Sequence, residues 1–507
     1  MSNHHQDSDL LVETECGSIR GIVADGVRTW RGIPFAAAPA GALRFNAPQP
    51  PNAWQGVRDA SEFGPIPMQK RGYEAIGGAG KTTPISEDCL TVNVSAPLQP
   101  SGNLRPVVVW IYGGGFSVGG TRAPLYRGDG LVKSGDVIYV SFNYRVGVFG
   151  FSDFSAWLTP ESPIQSNPGL RDQVTALGWI KRNISAFGGD PDRVTIVGQS
   201  AGAMSVVTLM CIPSAAGLFH RAIAMSPNAG SAFGPERHRT WAAEIVKLLG
   251  LDPDDKAAVS HALKQLSAET LCEASSRFFY DVAPDAIAGM LPTSPVVDGD
   301  FLPFSPIDAF RLGKAHPVPL VIGTMSREGA ILDKVLTVIA TRPNRLEDMF
   351  KRAGWAVRER IAAVYHGYPS KRAAIDVGGD FTFWHPSVLI AEGHARVAPC
   401  WAYRFDYATP LTRLIFGAAT HGLDLPMLFG TTGKGDLGKL DLFRKRASRE
   451  MSGRFQSDLL GFVRGARPSW STYDLDRRMT RIFDHADREE ADPRRDRRLA
   501  WGEFVVT

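Results

Sequence analysis

Five short apolar runs punctuate the chain: VVVWIYG, DVIYVSFNY, RVTIVGQ, RAIAMS and VPLVIGT. Each has strand length and is rich in β-branched residues. A strand that is apolar along its whole length is buried on both faces, so other layers must cover it above and below. Between the runs lie stretches patterned for helix. In GLRDQVTALGWIKRNISAFG (Gly169 to Gly188), Val174, Leu177, Ile180 and Ile184 recur at helical steps. Strands and helices in alternation predict an α/β fold, with a large, mostly parallel central sheet and helices on both faces. Segments 232–292 and 330–395 are helical in pattern and lack core-strand signals. They read as cap-like layers over the carboxyl edge of the sheet, where ligands bind in such folds. The 507 residues could hold about three average domains, but one α/β sheet can span them. No repeat or low-complexity tract divides the chain, so residues 10–507 are expected to form one domain after a disordered stretch over 1–9.

The composition excludes several functions. A net charge of +4 over this length implies neither a nucleic-acid nor a membrane partner. The Arg-rich tail DLDRRMTRIFDHADREEADPRRDRRLAW alternates its signs closely, which predicts a solvated, salt-bridged surface. Cys16, Cys89, Cys211, Cys272 and Cys400 are few and scattered, against both a disulfide framework and a Cys/His metal site. The start, MSNHHQDSDLLVE, has no cationic apolar leader, and a cytoplasmic location is expected.

One run leads directly into chemistry. In DRVTIVGQSAGAMSV a predicted strand is followed by Gly-x-Ser-x-Gly and then a helix-compatible stretch. This is the order of a nucleophile elbow, in which a sharp turn holds the serine hydroxyl above the sheet. The pentapeptide alone is a weak signal, because it occurs a second time as Gly115-Phe116-Ser117-Val118-Gly119. The residues after that copy, GGTRAPLYRGDG, are too rich in breakers to start a helix, so Ser117 reads as a loop hydroxyl and Ser200 as the candidate nucleophile. Such a serine needs a base, an orienting carboxylate and backbone donors for the forming oxyanion. YGGGF comes directly after a predicted strand and offers the amides of Gly114 and Gly115, with that of Ala201 beside the nucleophile. Glu328 stands at the end of a predicted strand, with Asp298, Asp300, Asp380 and Asp424 as rival acids. His421, in the small-residue loop GAATHGLDLP, is the candidate base.

Further motifs extend along nearly the whole chain. They are GSIRGI, GIPFAAAPAGALRF, WQGVRDASEFGP, SEDCLTVNV, FNYRVGVFGF, NPGLRDQVTALGWIKRNISAFGGDP, GQSAGA, HGLDLPMLFG and RRLAW. In combination they resemble the type-B carboxylesterases, the family that also contains cholinesterases and bacterial para-nitrobenzyl esterases. The resemblance implies an α/β-hydrolase fold with Ser200 as nucleophile, Glu328 as acid and His421 as base. Gly114, Gly115 and Ala201 would be the oxyanion donors. Ser226, in AIAMSPN, would support the triad from behind, although Pro227 stands where the family usually has glycine. Ion pairs Arg44–Glu87 and Arg145–Asp172 are implied as well, each worth under about 1 kcal/mol if it lies on the surface.

Departures from the family pattern narrow the expectation. Gln199 precedes the nucleophile where many relatives have Glu, which removes a charge beside the reacting centre. Cys89 matches a half-cystine of secreted relatives, but Pro67 fills the partner position. The loop from Met68 to Asp88 is therefore expected to be mobile and to gate the site. No tryptophan lies between Trp54 and Trp110, and Ile331 and Leu332 come soon after the acid, so no aromatic cage for a quaternary ammonium is expected. Phe116, Ile331, Leu332, Phe383 and Met427 are candidate pocket residues, with Phe381 and Trp384 beside them. The expected activity is hydrolysis of neutral short- to medium-chain or aryl esters through an acyl-enzyme. Its partner is a small-molecule ester, and neither a cofactor nor a metal is called for. The alternatives are a non-catalytic binding member of the fold, or an amidase or carbamate hydrolase using the same triad.

Overall fold

The computed structural model describes residues 10–72, 77–283, 290–335, 339–432, 440 and 445–504. The stretch 1–9, expected to be disordered, lies outside the described residues. Eleven of the described strands form one sheet. The first six in chain order are β1 (Ile22–Ala24), β2 (Val27–Pro34), β3 (Thr91–Ala96), β4 (Arg105–Ile111), β5 (Ile138–Phe142) and β6 (Gly189–Gln199). They are followed by β7 (Arg221–Met225), β8 (Leu320–Met325), β9 (Cys400–Phe405), β10 (Met479–Phe483) and β11 (Arg488–Ala491). Across the sheet the order is β1-β2-β3-β5-β4-β6-β7-β8-β9-β10-β11. Neighbours from β5 to β10 pair in parallel, and the flanking strands pair antiparallel. Along β4, Val107, Val109 and Ile111 point to one face and Val108 and Trp110 to the other. All five are buried, so both faces are covered.

Helices supply that cover. Helix α1 (Pro168–Asn183) opens on a proline and buries Leu177 and Ile180, while Val174 stays at its margin. Helix α2 (Ala201–Leu209) leaves the end of β6 and is buried along its whole length. Segment 232–292 contains the helices Pro235–Leu248, Lys256–Gln265 and Ala268–Arg277, which enclose a core of their own with Phe45, Phe149, Trp241 and Phe279. Segment 330–395 is also helical where described. Its last helix, α3 (His385–His394), lies along β8 and β9 instead of over the sheet edge. Among the described residues no helix is long and apolar enough to cross a membrane.

Both implied ion pairs form, but not on the surface. Arg145 grips Asp172 of α1 with Nη2 and Nε at 2.7 and 2.8 Å, and its amide donates to the same carboxylate at 3.0 Å. Both side chains are buried, so removing one partner strands the other charge and costs about 3–5 kcal/mol. Arg44 pairs with Glu87 at 2.6 Å and also donates to the carbonyls of Leu263 and Leu266. The Arg-rich tail carries the expected ion pairs, among them Arg488–Glu490 and Arg498–Asp492, and part of it turns inward: Arg494 and Arg497 close on the buried Asp380 at 2.9 and 2.8 Å, and Trp501 is fully buried.

Candidate active site

Strands β4, β6, β7, β8 and β9 lie side by side, and a candidate residue comes after the carboxyl end of each. The glycine run 113–115 follows β4, Ser200 follows β6, Ser226 follows β7 and Glu328 follows β8. His421 comes after β9 and one intervening helix, Pro410–Phe416. Ser200 sits between β6 and α2 at φ +60° and ψ −127°, a conformation that L-residues rarely adopt. Its amide donates to the Met225 carbonyl at 2.9 Å and its carbonyl accepts from the Met204 amide at 2.8 Å. A Cβ on Gly198 would lie 2.3 Å from the Gly202 carbonyl oxygen, and one on Gly202 would lie 2.1 Å from that of Ile111. Close backbone approach therefore makes both positions glycine. Ser200 is half-buried while Gln199 and Ala201 on either side are buried, so the turn presents the serine.

On one side of Ser200 stands a cluster of buried side chains. His421 Nδ1 lies 2.6 Å from Glu328 Oε2. The other carboxylate oxygen, Oε1, accepts from Ser226 Oγ and from the Met325 amide, both at 2.7 Å. With Oε1 occupied by these donors, Oε2 faces the imidazole as acceptor for the Nδ1–H tautomer. With that tautomer, Nε2 carries its lone pair and accepts from the Gln199 side-chain amide at 3.1 Å. Thr420 Oγ1 donates to the Glu328 carbonyl at 3.2 Å and accepts from the Ile331 amide at 3.0 Å, tying the acid's loop to the base's loop. The Phe383 ring lies 4.3 Å from the imidazole.

The rival acids have other surroundings. Asp380 is held by Arg494, Arg497 and Tyr365. Asp298 accepts from Ser166 and Asn167, and Asp300 is exposed. Asp424 is buried near Glu328 and His421. Burial first, and then the charge of Glu328, push its carboxyl up to about 7, against the opposing pull of His421. Burial likewise holds His238 and His385 down to about 4, and His394 is lowered by the same cause, so these rings are neutral packing residues.

On the other side stands a loop of backbone. A Cβ on Gly113 would lie 2.5 Å from the Gln199 carbonyl and 3.0 Å from Ser200 Cβ, so this loop abuts the elbow directly. Gly114 and Gly115 have φ of +121° and +60°. The Gly114 carbonyl accepts from the amides of Ser117 and Val118, both at 3.1 Å. Since carbonyl and N–H oppose each other across a trans peptide, the Gly115 amide points the other way.

With this geometry in place, comparison with known proteins is informative. The sequence profile of the Carboxylesterase family matches residues 8–476. The chain belongs to that family. It is 36% identical over 499 residues to the para-nitrobenzyl esterase of Bacillus subtilis, covering 96% of this chain and 97% of that one. It is 34% identical to the fumonisin B1 esterase of Sphingopyxis macrogoltabida, over 84% of this chain and 76% of that one. A solved para-nitrobenzyl esterase superposes with a TM-score of 0.85 at 34% identity, over 98% of this chain and 100% of that one. The fold is the α/β-hydrolase fold, and the chain is a carboxylic ester hydrolase.

Within this carboxylesterase, the structure gathers Ser200, Glu328, His421, Gly114, Gly115, Ala201, Gln199 and Ser226 at one sheet edge. Ile331, Leu332 and Phe383 share a cluster with Phe279, whose Cζ would meet a Cβ on Gly115 at 3.7 Å. Phe116 instead stacks on Phe151 at 4.2 Å and is fully buried, and Met427 packs into the main core. Phe381 and Trp384 join Trp501 in a separate cluster. Cys89 is free and buried. The loop from Met68 to Asp88, expected to be mobile, is pinned near its start by the buried Gln69. Its amide donates to the carbonyls of Pro67 and Gly119 and accepts from the amides of Gly119 and Ala79. Residues 73–76 of that loop lie outside the described residues. Sequence reasoning missed this clasp, the bonding of Thr420 and the direct contact of Gln199 with His421, each of which joins distant positions.

Proposed function

We propose that Ser200, His421 and Glu328 form a nucleophile–base–acid triad. It cleaves neutral short- to medium-chain or aryl esters, with the amides of Gly114, Gly115 and Ala201 receiving the oxyanion. His421 Nε2 takes the proton as Ser200 Oγ attacks the carbonyl carbon, and Glu328 stabilises the resulting imidazolium. The same Nε2 then protonates the departing alcohol, leaving an acyl-serine. Water attacks that ester, giving a proton to His421, and the serine leaves with it as the acid departs.

The observation that carries this reading is the bonded series Ser226–Glu328–His421–Gln199, which ends on the residue before Ser200. A neutral Gln199 and the apolar Ile331, Leu332 and Phe383 support uncharged substrates. The para-nitrobenzyl esterase relative makes aryl-type esters the first to try. Five unbridged cysteines support a reducing, cytoplasmic setting.

The test is hydrolysis of para-nitrophenyl acetate, butyrate and octanoate by the wild type and Ser200→Ala. Turnover that disappears in the variant is expected, with a maximum at one of the shorter chains. Substantial turnover by Ser200→Ala would overturn the assignment. A matched anilide hydrolysed as fast as its ester would favour the amidase reading.

A further inference from the structure

The serine of the second Gly-x-Ser-x-Gly run plays no part in the mechanism above, yet it touches the oxyanion loop. Three successive glycines give that loop many backbone conformations of similar energy. An oxyanion donor contributes only if it already points at the developing charge, so something must choose among those conformations. The Gly114 carbonyl is fixed by backbone amides of its own loop. The Gly115 carbonyl is fixed from outside, accepting from Thr293 Oγ1 at 2.8 Å. Ser117 Oγ lies 2.8 Å from Thr293 Oγ1 and 3.3 Å from the same carbonyl. A hydroxyl has one proton. Thr293 donates its proton to the carbonyl, so Ser117 donates to Thr293.

The anchor behind this contact is firm. Thr293 is buried, and three residues on, Val296 exchanges two hydrogen bonds with the Asn167 side chain, at 2.8 and 2.9 Å. Asn167 immediately precedes α1, the helix that Asp172 ties to Arg145. A rigid element thus carries a hydroxyl onto a loop with no side chains of its own to lock it.

We propose that the Thr293–Ser117 hydroxyl pair is a latch that positions the oxyanion loop: Thr293 holds the peptide that follows Gly115, as the Ser117 and Val118 amides hold the peptide that precedes it, so that Gly115 cannot rotate and its amide stays aimed at the forming oxyanion. Thr293 is a positioning residue, acting through Gly115. The inference rests on the reading of Ser200 as nucleophile and Gly115 as oxyanion donor. Because the oxyanion exists only beyond the ground state, the latch contributes to kcat and little to KM.

The test compares Thr293→Val, which keeps the shape and loses the hydroxyl, with Thr293→Ser, which keeps the hydroxyl, and with Ser117→Ala. For each, kcat and KM on para-nitrophenyl butyrate are measured beside Ki for an alkyl trifluoromethyl ketone, whose adduct oxygen occupies the oxyanion hole. A fluorophosphonate label counts competent Ser200. Thr293→Val should lose about 10- to 100-fold in kcat with KM within about twofold, and Ki should rise in proportion. Thr293→Ser should recover to within about threefold of wild type, and Ser117→Ala should lose about threefold. A folded Thr293→Val with normal labelling and unchanged kcat and Ki overturns the latch alone. If Thr293→Val does not fold, Ser117→Ala decides: a loss in kcat and Ki at constant KM supports the latch, and no change overturns it. A wild type that is not labelled at Ser200 overturns the nucleophile reading and the latch with it.

Discussion

The two walls that meet at Ser200 are built from opposite materials. The base wall is a relay of buried side chains, Ser226, Glu328, His421 and Gln199, each fixed by a hydrogen bond to the next. The oxyanion wall is bare backbone at Gly113–Gly115, shaped by positive φ angles at Gly114 and Gly115 and held by carbonyl contacts. The base wall depends on which charges are present, and therefore on pH. The oxyanion wall depends on the absence of side chains. The paired pentapeptides illustrate the difference. Ser200 and Ser117 share the same local pattern, but one ends a central strand and the other lies in the loop beside it. Its surroundings, and not its motif, give each hydroxyl its work.

The largest test of that contrast sets the two serines against each other. Ser200→Ala should lower kcat on para-nitrophenyl butyrate by about 10⁶ if the triad acts as a unit. Ser117→Ala should cost only the few-fold loss of a latch partner. Comparable losses in both would erase the distinction. Next in size is Gly114→Ala, which reaches the oxyanion wall through shape alone. Its Cβ would lie 2.2 Å from the Val118 carbonyl oxygen at a φ of +121°, so the loop must shift. A fall of about 10²–10³ in kcat is expected from the displaced donor, with the pH profile unmoved. A change in the position of the profile would show that the walls are not independent.

The strands that build both walls were readable because β4, β5 and β8 are buried throughout and β6 and β7 are buried from Val194 and Ala222 onward, so that each spells a short apolar run. The strands β9 and β10, in CWAYRF and MTRIF, interleave arginine with aromatics and escaped that reading. Ser200 and the glycine loop carry their signal locally, in the turn before a helix and in the run of glycines. The acid was open among five carboxylates until motif resemblance favoured Glu328. In the structure, Asp380 is occupied by two arginines and Asp424 is buried beside the Tyr403 hydroxyl, and composition encodes neither environment. Thr293 was invisible for the same reason. It meets Gly115 across 178 residues, with nothing in TSPVVDG to mark the meeting.

A smaller effect, in position more than in rate, is expected at Gln199. Its amide reaches His421 Nε2, the nitrogen proposed to take the serine proton. Gln199→Glu sets a negative charge there, which favours the imidazolium. The base is active when neutral, so the acid limb of kcat/KM should move to higher pH by about one unit. A limb that stays in place would mean that the side chain at 199 does not reach the imidazole in the free enzyme, the state that kcat/KM reports.

The smallest effect separates the two carboxylates of the base wall. Glu328 is bonded to Ser226, the Met325 amide and His421, whereas Asp424 is buried with Tyr403 OH at 3.3 Å, and its carboxyl is pushed up to about 7 by burial and then by Glu328. Because that value lies above the usual carboxylate range, the folded chain binds more protons than the unfolded one between about pH 4 and about pH 7. Stability contributed by this site is therefore present at low pH, declines as pH rises through that window and is level above it. Asp424→Asn is neutral throughout, so its melting temperature relative to wild type should be higher at pH 8 than at pH 5, by on the order of a few °C. Its kcat should stay within about threefold of wild type, because an amide in place of this carboxyl leaves the Glu328–His421 bond intact. Thermal melts at the two pH values decide the matter. An equal offset at both would mean that Asp424 is ionised in the fold across the whole range, and the base wall would then hold two negative charges beside His421 instead of one.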